Sequence, residues 1–266
     1  MRENQFGKLS EFYLTAAYRD GRTVMEDVSF TAPFKVMHPF YEKKDVMTVM
    51  LLTASAGIMA GDRQEINLCA KERSSLEFVS QAYEKIHRME EGYASRRIYL
   101  TVGSHACLRY LPLPAIPFAG SDYRCTAEVE LEDETSQFVF REILSCGRVA
   151  YGEEFQYRRF QSRVCISQGG RLVYRDNACY EPGQMDMGNF GMYEGFTHLA
   201  SLVICNQQKP EGWVQQVRRL LEDAGDMEGG VTHTSAGHIV VRILGKNAAQ
   251  LTEITERICS SEGLEL

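Results

Sequence analysis

The sequence predicts a mainly β protein that ends in a small α/β portion, and three observations carry that reading. From Gly7 to about Cys205, short segments rich in β-branched and aromatic residues recur, with turn residues about every ten positions. Within them, Thr126-Ala127-Glu128-Val129-Glu130-Leu131 alternates apolar and polar residues as a half-buried strand does. Over about the last sixty residues the apolar period lengthens to that of a helix.

Taken in order, residues 23–30, 66–70, 76–79, 97–102 and 126–131 read as strands because Val, Ile, Phe, Tyr and Thr fit a pleated, half-buried surface. Turns fall at Asp20-Gly21, Val102-Gly103-Ser104 and Glu132-Asp133-Glu134. Gln168-Gly169-Gly170 suits a hairpin between strands around Cys165 and Val173. Residues 183–196, rich in Gly and Met, resemble a mobile loop.

Past Cys205, the residues Trp213, Val217, Leu220, Leu221 and Ala224 share one helical face. Pro210 and Glu211 mark its start and Gly225 its stop. Residues 238–244 form a strand closed by Gly245. A second helix begins at Asn247 as N-cap, with Gln250 completing a capping box and Ala248, Leu251, Ile254 and Ile258 as the apolar stripe. This divides the chain into a β-rich body, 1–205, and a packed α/β portion, 206–266, within what can be a single domain. No repeat of fixed period is visible.

Composition narrows the function. With 266 residues, 44% hydrophobic and 24% charged, the chain has the make-up of an ordinary folded protein. A net charge of −7 and a pI near 5.5 speak against nucleic acid or an anionic membrane as partner, since both need a basic footprint. Eight scattered cysteines without a C-x-x-C pair read as reduced, mostly buried thiols. Residues 1–7 lack an apolar run, and the longest one, 46–52, is interrupted by Thr48 and far too short to span a bilayer. The expected location is the cytoplasm.

Candidate chemistry lies in carboxylates beside basic groups. His233 and His238 have poor spacing for a shared metal and read as two exposed imidazoles on a tight turn, while His87 and His105 stand alone. There is neither a G-x-S-x-G elbow nor a phosphate loop. Asp62, Glu84, Glu142, Glu153 and Asp176 lie within or beside apolar strand segments, and a buried charge needs a partner or a metal. Arg63, Lys85, Arg88, Arg141, Arg148 and Arg175 are near enough in sequence to pair with them, Glu84 with Arg88 in particular. Either these positions face solvent or they line a polar interior path that a divalent cation could enter and leave.

Five segments in order resemble the urease accessory protein family UreD, also called UreH. They are Gly57-Ile58-Met59-Ala60-Gly61-Asp62-Arg63; Gln81-Ala82-Tyr83-Glu84-Lys85-Ile86-His87-Arg88; residues 111–121, Leu-Pro-Leu-Pro-Ala-Ile-Pro-Phe-Ala-Gly-Ser; Cys146-Gly147-Arg148-Val149-Ala150-Tyr151-Gly152-Glu153-Glu154-Phe155; and Gly170-Arg171-Leu172-Val173-Tyr174-Arg175-Asp176. The resemblance implies strands stacked in a β-helix-like coil and a non-catalytic metallochaperone scaffold. Such a scaffold binds apo-urease, UreF and the GTPase UreG and assists nickel insertion, with the metal in transit through an internal tunnel and no tightly bound cofactor.

Carried over by motif, the family's functional residues fall on Asp62, Arg63, Glu84, Lys85, Arg88, Arg148, Glu153, Glu142 and Asp176, and its turn glycines on Gly57, Gly61, Gly147 and Gly152. Asp62, Glu142 and His87 are the transient nickel contacts to expect, the alternative for His87 being a ring-sized filler where the family carries an aromatic. Ala60 stands where the family has a second glycine, which predicts slight strain there. The competing reading is a β-rich carbohydrate-type hydrolase with a carboxylate pair in an open cleft, lined by Tyr110, Tyr123, Tyr151 and Tyr157.

Overall fold

A computed structural model describes residues 9–42 and 45–260; residues 1–7, which bear on the expected location, lie outside them. The chain opens with β1 (Leu9–Arg19), β2 (Arg22–Phe30), β3 (Phe34–Val36), β4 (Met47–Thr53), β5 (Arg63–Ala70), β6 (Ser75–Ser80) and β7 (Glu84–Ile86). It continues through β8 (Ala94–Val102), β9 (Cys107–Leu111), β10 (Ala115–Pro117), β11 (Asp122–Leu131), β12 (Gln137–Ser145), β13 (Arg159–Gln168), β14 (Arg171–Tyr180) and β15 (His198–Cys205). The tail holds α1 (Trp213–Glu222), β16 (Met227–His233), β17 (Ile239–Gly245) and α2 (Ala248–Cys259).

Two sheets face each other. One has the order β14-β13-β11-β8-β5-β1-β2, the other β16-β17-β15-β12-β9-β6-β4-β3. From β4 to β13 the chain alternates between them, so each sheet's neighbours, β5-β8-β11-β13 and β4-β6-β9-β12, run parallel. Parallel neighbours need a crossover, and here the crossover is a strand of the opposite sheet. The result is the stacked coil that the family resemblance implied. Antiparallel pairs close it at both ends, β1 with β2 and β13 with β14, the latter through the Gly169-Gly170 turn.

Alternation along the strands fills the space between the sheets. In register on successive turns, Phe78, Tyr110 and Phe140 stack with centroids 5.5 Å apart and planes within 9° of parallel. Such offset-stacked rings add to the burial energy of each aromatic. From the facing sheet Phe12 meets Phe78 at 5.7 Å, its ring tilted by 52°.

A second apolar cluster lies on the outer face of the ten-stranded sheet. Val139, Ile143, Leu202, Ile204, Val241 and Ile243 meet Trp213, Val217 and Leu221 of α1 and Leu251, Ile254 and Ile258 of α2. The Asn247 Oδ1 accepts from the amides of Ala249 (2.8 Å) and Gln250 (3.4 Å), as the N-cap reading required. β17 pairs with β15, so the tail extends the same sheet, and β16, whose Gly229-Gly230 conceals it from propensity, adds the edge. Within the segment expected to be mobile, most residues are exposed but Tyr193 is buried, its ring 4.8 Å from Phe155 and 5.9 Å from Tyr180. All eight cysteines are unpaired. Among the described residues no helix is long and apolar enough to cross a membrane.

Candidate functional site: stacked corners and a polar seam between the sheets

Four of the five family-like segments occupy equivalent places. Residues 57–63, 81–88, 111–121 and 146–155 each carry the chain from the ten-stranded to the seven-stranded sheet, one turn of the coil apart. They stack on one another: the Ile58 amide donates to Lys85 O (2.8 Å), the Phe118 amide to Ile86 O (2.9 Å), and β7 pairs in parallel with β10. Order and spacing of the motifs are therefore the pitch of the coil.

Two glycines are required by this stacking. A Cβ at Gly57, whose φ is +147°, would sit 2.4 Å from Lys85 O and against the His87 ring; at Gly147, φ +142°, it would sit 2.2 Å from Glu153 O. Only a residue without Cβ allows that approach. Gly61 and Gly152 supply positive φ in turns, while Ala60 is not among the positive-φ residues, so the strain expected there is absent.

Around these corners the charged residues separate into three groups. Arg148 forms a two-point ion pair with Glu153, Nε to Oε2 at 2.8 Å, and its guanidinium lies 4.2 Å from the Phe118 ring centroid. The pair holds Glu153 below and Arg148 above their ordinary pKa ranges. Asp62 is half-buried and accepts from the Met59 amide at 2.8 Å, closing the turn that starts β5. Arg63, Lys85 and Arg88 are exposed. The expected Glu84–Arg88 pair does not form: β7 is extended, and Glu84 turns inward to Arg96 of β8. Arg88 lies alongside Gly120 instead. His87 fills space, its ring 4.8 Å from Phe118 and its Nε2 3.0 Å from Ala56 O.

The interior seam begins at Arg96. Its side chain is 7% exposed, and it bonds both Glu84 oxygens and, from Nε at 3.0 Å, Gln64 Oε1. Burial opposes its charge, but the Glu84 carboxylate keeps its pKa well above the ordinary value. Tyr110, Tyr123 and Cys125 are buried near this pair, Tyr110 and Cys125 within electrostatic reach of Glu142 as well, and burial pushes the Cys125 thiol up to about 12.

Glu142 projects from β12 into the space between the sheets, where Ser162 Oγ of β13 donates to it at 2.8 Å. Burial, countered by that hydrogen bond and reinforced by Asp176, pushes its carboxyl up to about 7. Asp176 of β14 pairs with Arg242 of β17, not with Arg175 beside it, and Arg141 faces the opposite side of β12 beneath α2. Of these carboxylates Glu142 alone has a hydroxyl rather than a cation or turn amide as its hydrogen-bond partner. Among the described residues no three His, Cys, Asp or Glu side chains converge as a metal cage.

Sequence reasoning missed Arg96, Gln64, Ser162 and Arg242. Arg96 had a signal: it sits on the inward face of β8 with Ala94, Ile98, Leu100 and Val102. His238 differs from expectation too, being buried with its Nε2 lacking a partner, while His233 is exposed.

The sequence model of the UreD urease accessory protein family matches residues 9–261. The chain belongs to that family. It is 37% identical over 239 residues to the urease accessory protein UreH of Helicobacter pylori strain P12, covering 90% of this chain and 89% of the relative. It is also 37% identical over 257 residues to UreD of Acetivibrio thermocellus, covering 96% and 98%. UreD of Flavobacterium johnsoniae is 28% identical over 253 residues, covering 94% and 91%. These relatives are named as accessory proteins rather than enzymes. The tyrosines that a hydrolase cleft would expose point the same way, since Tyr110, Tyr123 and Tyr157 are buried and Tyr151 is 78% exposed on a corner.

Proposed function

We propose that this chain is a cytoplasmic scaffold for nickel delivery to apo-urease, acting with UreF and the GTPase UreG, and that the seam between its sheets is the route of the metal. The observation that carries the reading is Glu142: an inward-facing carboxylate, hydrogen-bonded to Ser162 and poised near neutral pH, which can exchange a proton for a cation. Oxygen donors spaced along a path hold Ni²⁺ weakly enough to release it, whereas a cage would retain it. Asp176 and Glu84, each neutralised by an arginine, would flank the route rather than hold the ion. The Arg148–Glu153 corner and the Asp62 turn keep the coil in register; Arg63, Lys85 and Arg88 are exposed and available to partners.

The test is nickel-dependent activation of apo-urease by UreF, UreG and GTP, with and without this protein and with Glu142→Gln. Activation that requires the chain and falls with the variant, while the accessory complex still assembles, supports the reading. Activation independent of the chain rejects the role, and full activity of Glu142→Gln rejects the route.

A further inference from the structure

Among the described residues, the outer face of the seven-stranded sheet carries charged side chains that no protein group pairs, such as Arg63 and Arg175, and two more flank a hollow on it. Arg97 of β8, Thr126 of β11 and Arg163 of β13 are in register, and the next outward row is Tyr99, Glu128 and Cys165. Arg97, Tyr99, Thr126, Glu128 and Arg163 line a hollow of about 330 Å³. A second hollow of about 390 Å³ shares Tyr99 and Glu128 and continues along the strands to Glu130 and Ser167. Together they form a trough parallel to β11.

Other polar groups on this face do find partners: the Tyr13 hydroxyl lies within hydrogen-bond distance of both Glu11 (2.9 Å) and Glu65 (3.1 Å), and at the far end of the trough Glu130 accepts from the Gly170 amide at 2.9 Å. The two arginines of the trough do not. Among the described residues no carboxylate lies within ion-pair distance of Arg97 or Arg163, none of their nitrogens has a hydrogen-bond acceptor, and Arg163 Nε is enclosed.

We infer that this trough binds an extended segment of a partner polypeptide carrying an acidic side chain two residues from a basic one. Alternate side chains of an extended chain share a face, about 6.8 Å apart, which is also the separation of the two rows along the sheet. The acid meets Arg97 and Arg163 as a charge-assisted pair, with the Thr126 hydroxyl between them, and the base meets Glu128. A free oxyanion fits less well, because Glu128 opposes it and half the trough stays empty. The inference is independent of nickel transfer.

The full chain is titrated with the peptide acetyl-Thr-Glu-Thr-Lys-Thr-amide while the arginine Nε–H resonances are followed by NMR. A saturable shift of the Arg163 signal is expected. Affinity should fall at least about five-fold for Arg97→Gln, and equally for the isomer acetyl-Thr-Glu-Lys-Thr-Thr-amide, whose charged groups point to opposite faces. The variant Glu128→Lys should prefer a peptide with Glu at both positions. An absent or non-saturable shift overturns the proposal, as does an isomer that binds equally. So does inorganic phosphate reproducing the peptide's shift at the same concentration, which would mean a simple anion site. Because Glu128→Lys tests a gain of binding, the outcome does not depend on the stability of Arg97→Gln.

Discussion

Glu142 and Ser162 join the two sheets across the interior, the hydroxyl on β13 donating at 2.8 Å to the carboxylate on β12. A hydroxyl leaves the carboxylate its charge to carry, and burial resists that charge more than one hydrogen bond relieves it. The folded carboxyl therefore titrates at about 7 against 4.5 for the unfolded chain.

The sign of the consequence follows from proton counting. Between those two values the folded state holds a proton that the unfolded state has lost, so stability falls as pH rises from 4.5 to about 7 and the deficit persists above. The displacement corresponds to about 3 kcal/mol. Glu142→Gln should thus leave stability near pH 4.5 unchanged and raise it at pH 8 by up to that amount. Urea unfolding at both pH values measures it; an equal effect at both would show that Glu142 titrates normally.

Arg96 and Glu84 give the opposite behaviour on truncation. Replacing Arg96 with Met strands a carboxylate and an amide oxygen, and the cost should be about 3–5 kcal/mol, as for other broken buried pairs. In Arg96→Met with Glu84→Gln the stranded charge is gone, and the double variant should regain part of the loss. A double-mutant cycle by denaturant unfolding reads the coupling directly, and additive losses would place the two residues apart.

Much of this was legible in the sequence, for local reasons. The alternation of Thr126 to Leu131, the Gly169-Gly170 hairpin and the Asn247 cap each specify structure within a few residues, and each is found. The coil itself left no period to read, because successive corners differ in sequence and length while their backbones stack. Partner choice was equally hidden. Glu84 selects Arg96, and Asp176 selects Arg242, across distances in sequence that spacing rules for a single strand or helix do not reach.

The corner glycines separate close approach from backbone preference alone. Gly147→Ala meets both a positive φ and the Glu153 carbonyl, and should cost about 2–4 kcal/mol or prevent folding. Gly152→Ala, at φ +71° with open space around its Cβ position, should cost only about 1 kcal/mol. Thermal unfolding of the two variants side by side checks the difference, and similar losses would mean that the corner relaxes away from Glu153.

Nickel affinity distinguishes a route from a store. The seam offers Glu142 as its one carboxylate without a cation or turn amide bound to it, and no cluster of three ligating side chains converges among the described residues. One oxygen ligand with a hydroxyl neighbour cannot strip Ni²⁺ of most of its water, so the isolated protein should bind nickel no more tightly than about the micromolar range. Because the proton competes for the same oxygens, binding should weaken as pH falls from 8 to 6, through the value at which Glu142 titrates. Glu142→Gln should abolish that dependence. Calorimetry at both pH values decides the matter: a stoichiometric nanomolar site, unaffected by pH in this range, would mean that the metal is held by residues other than the seam.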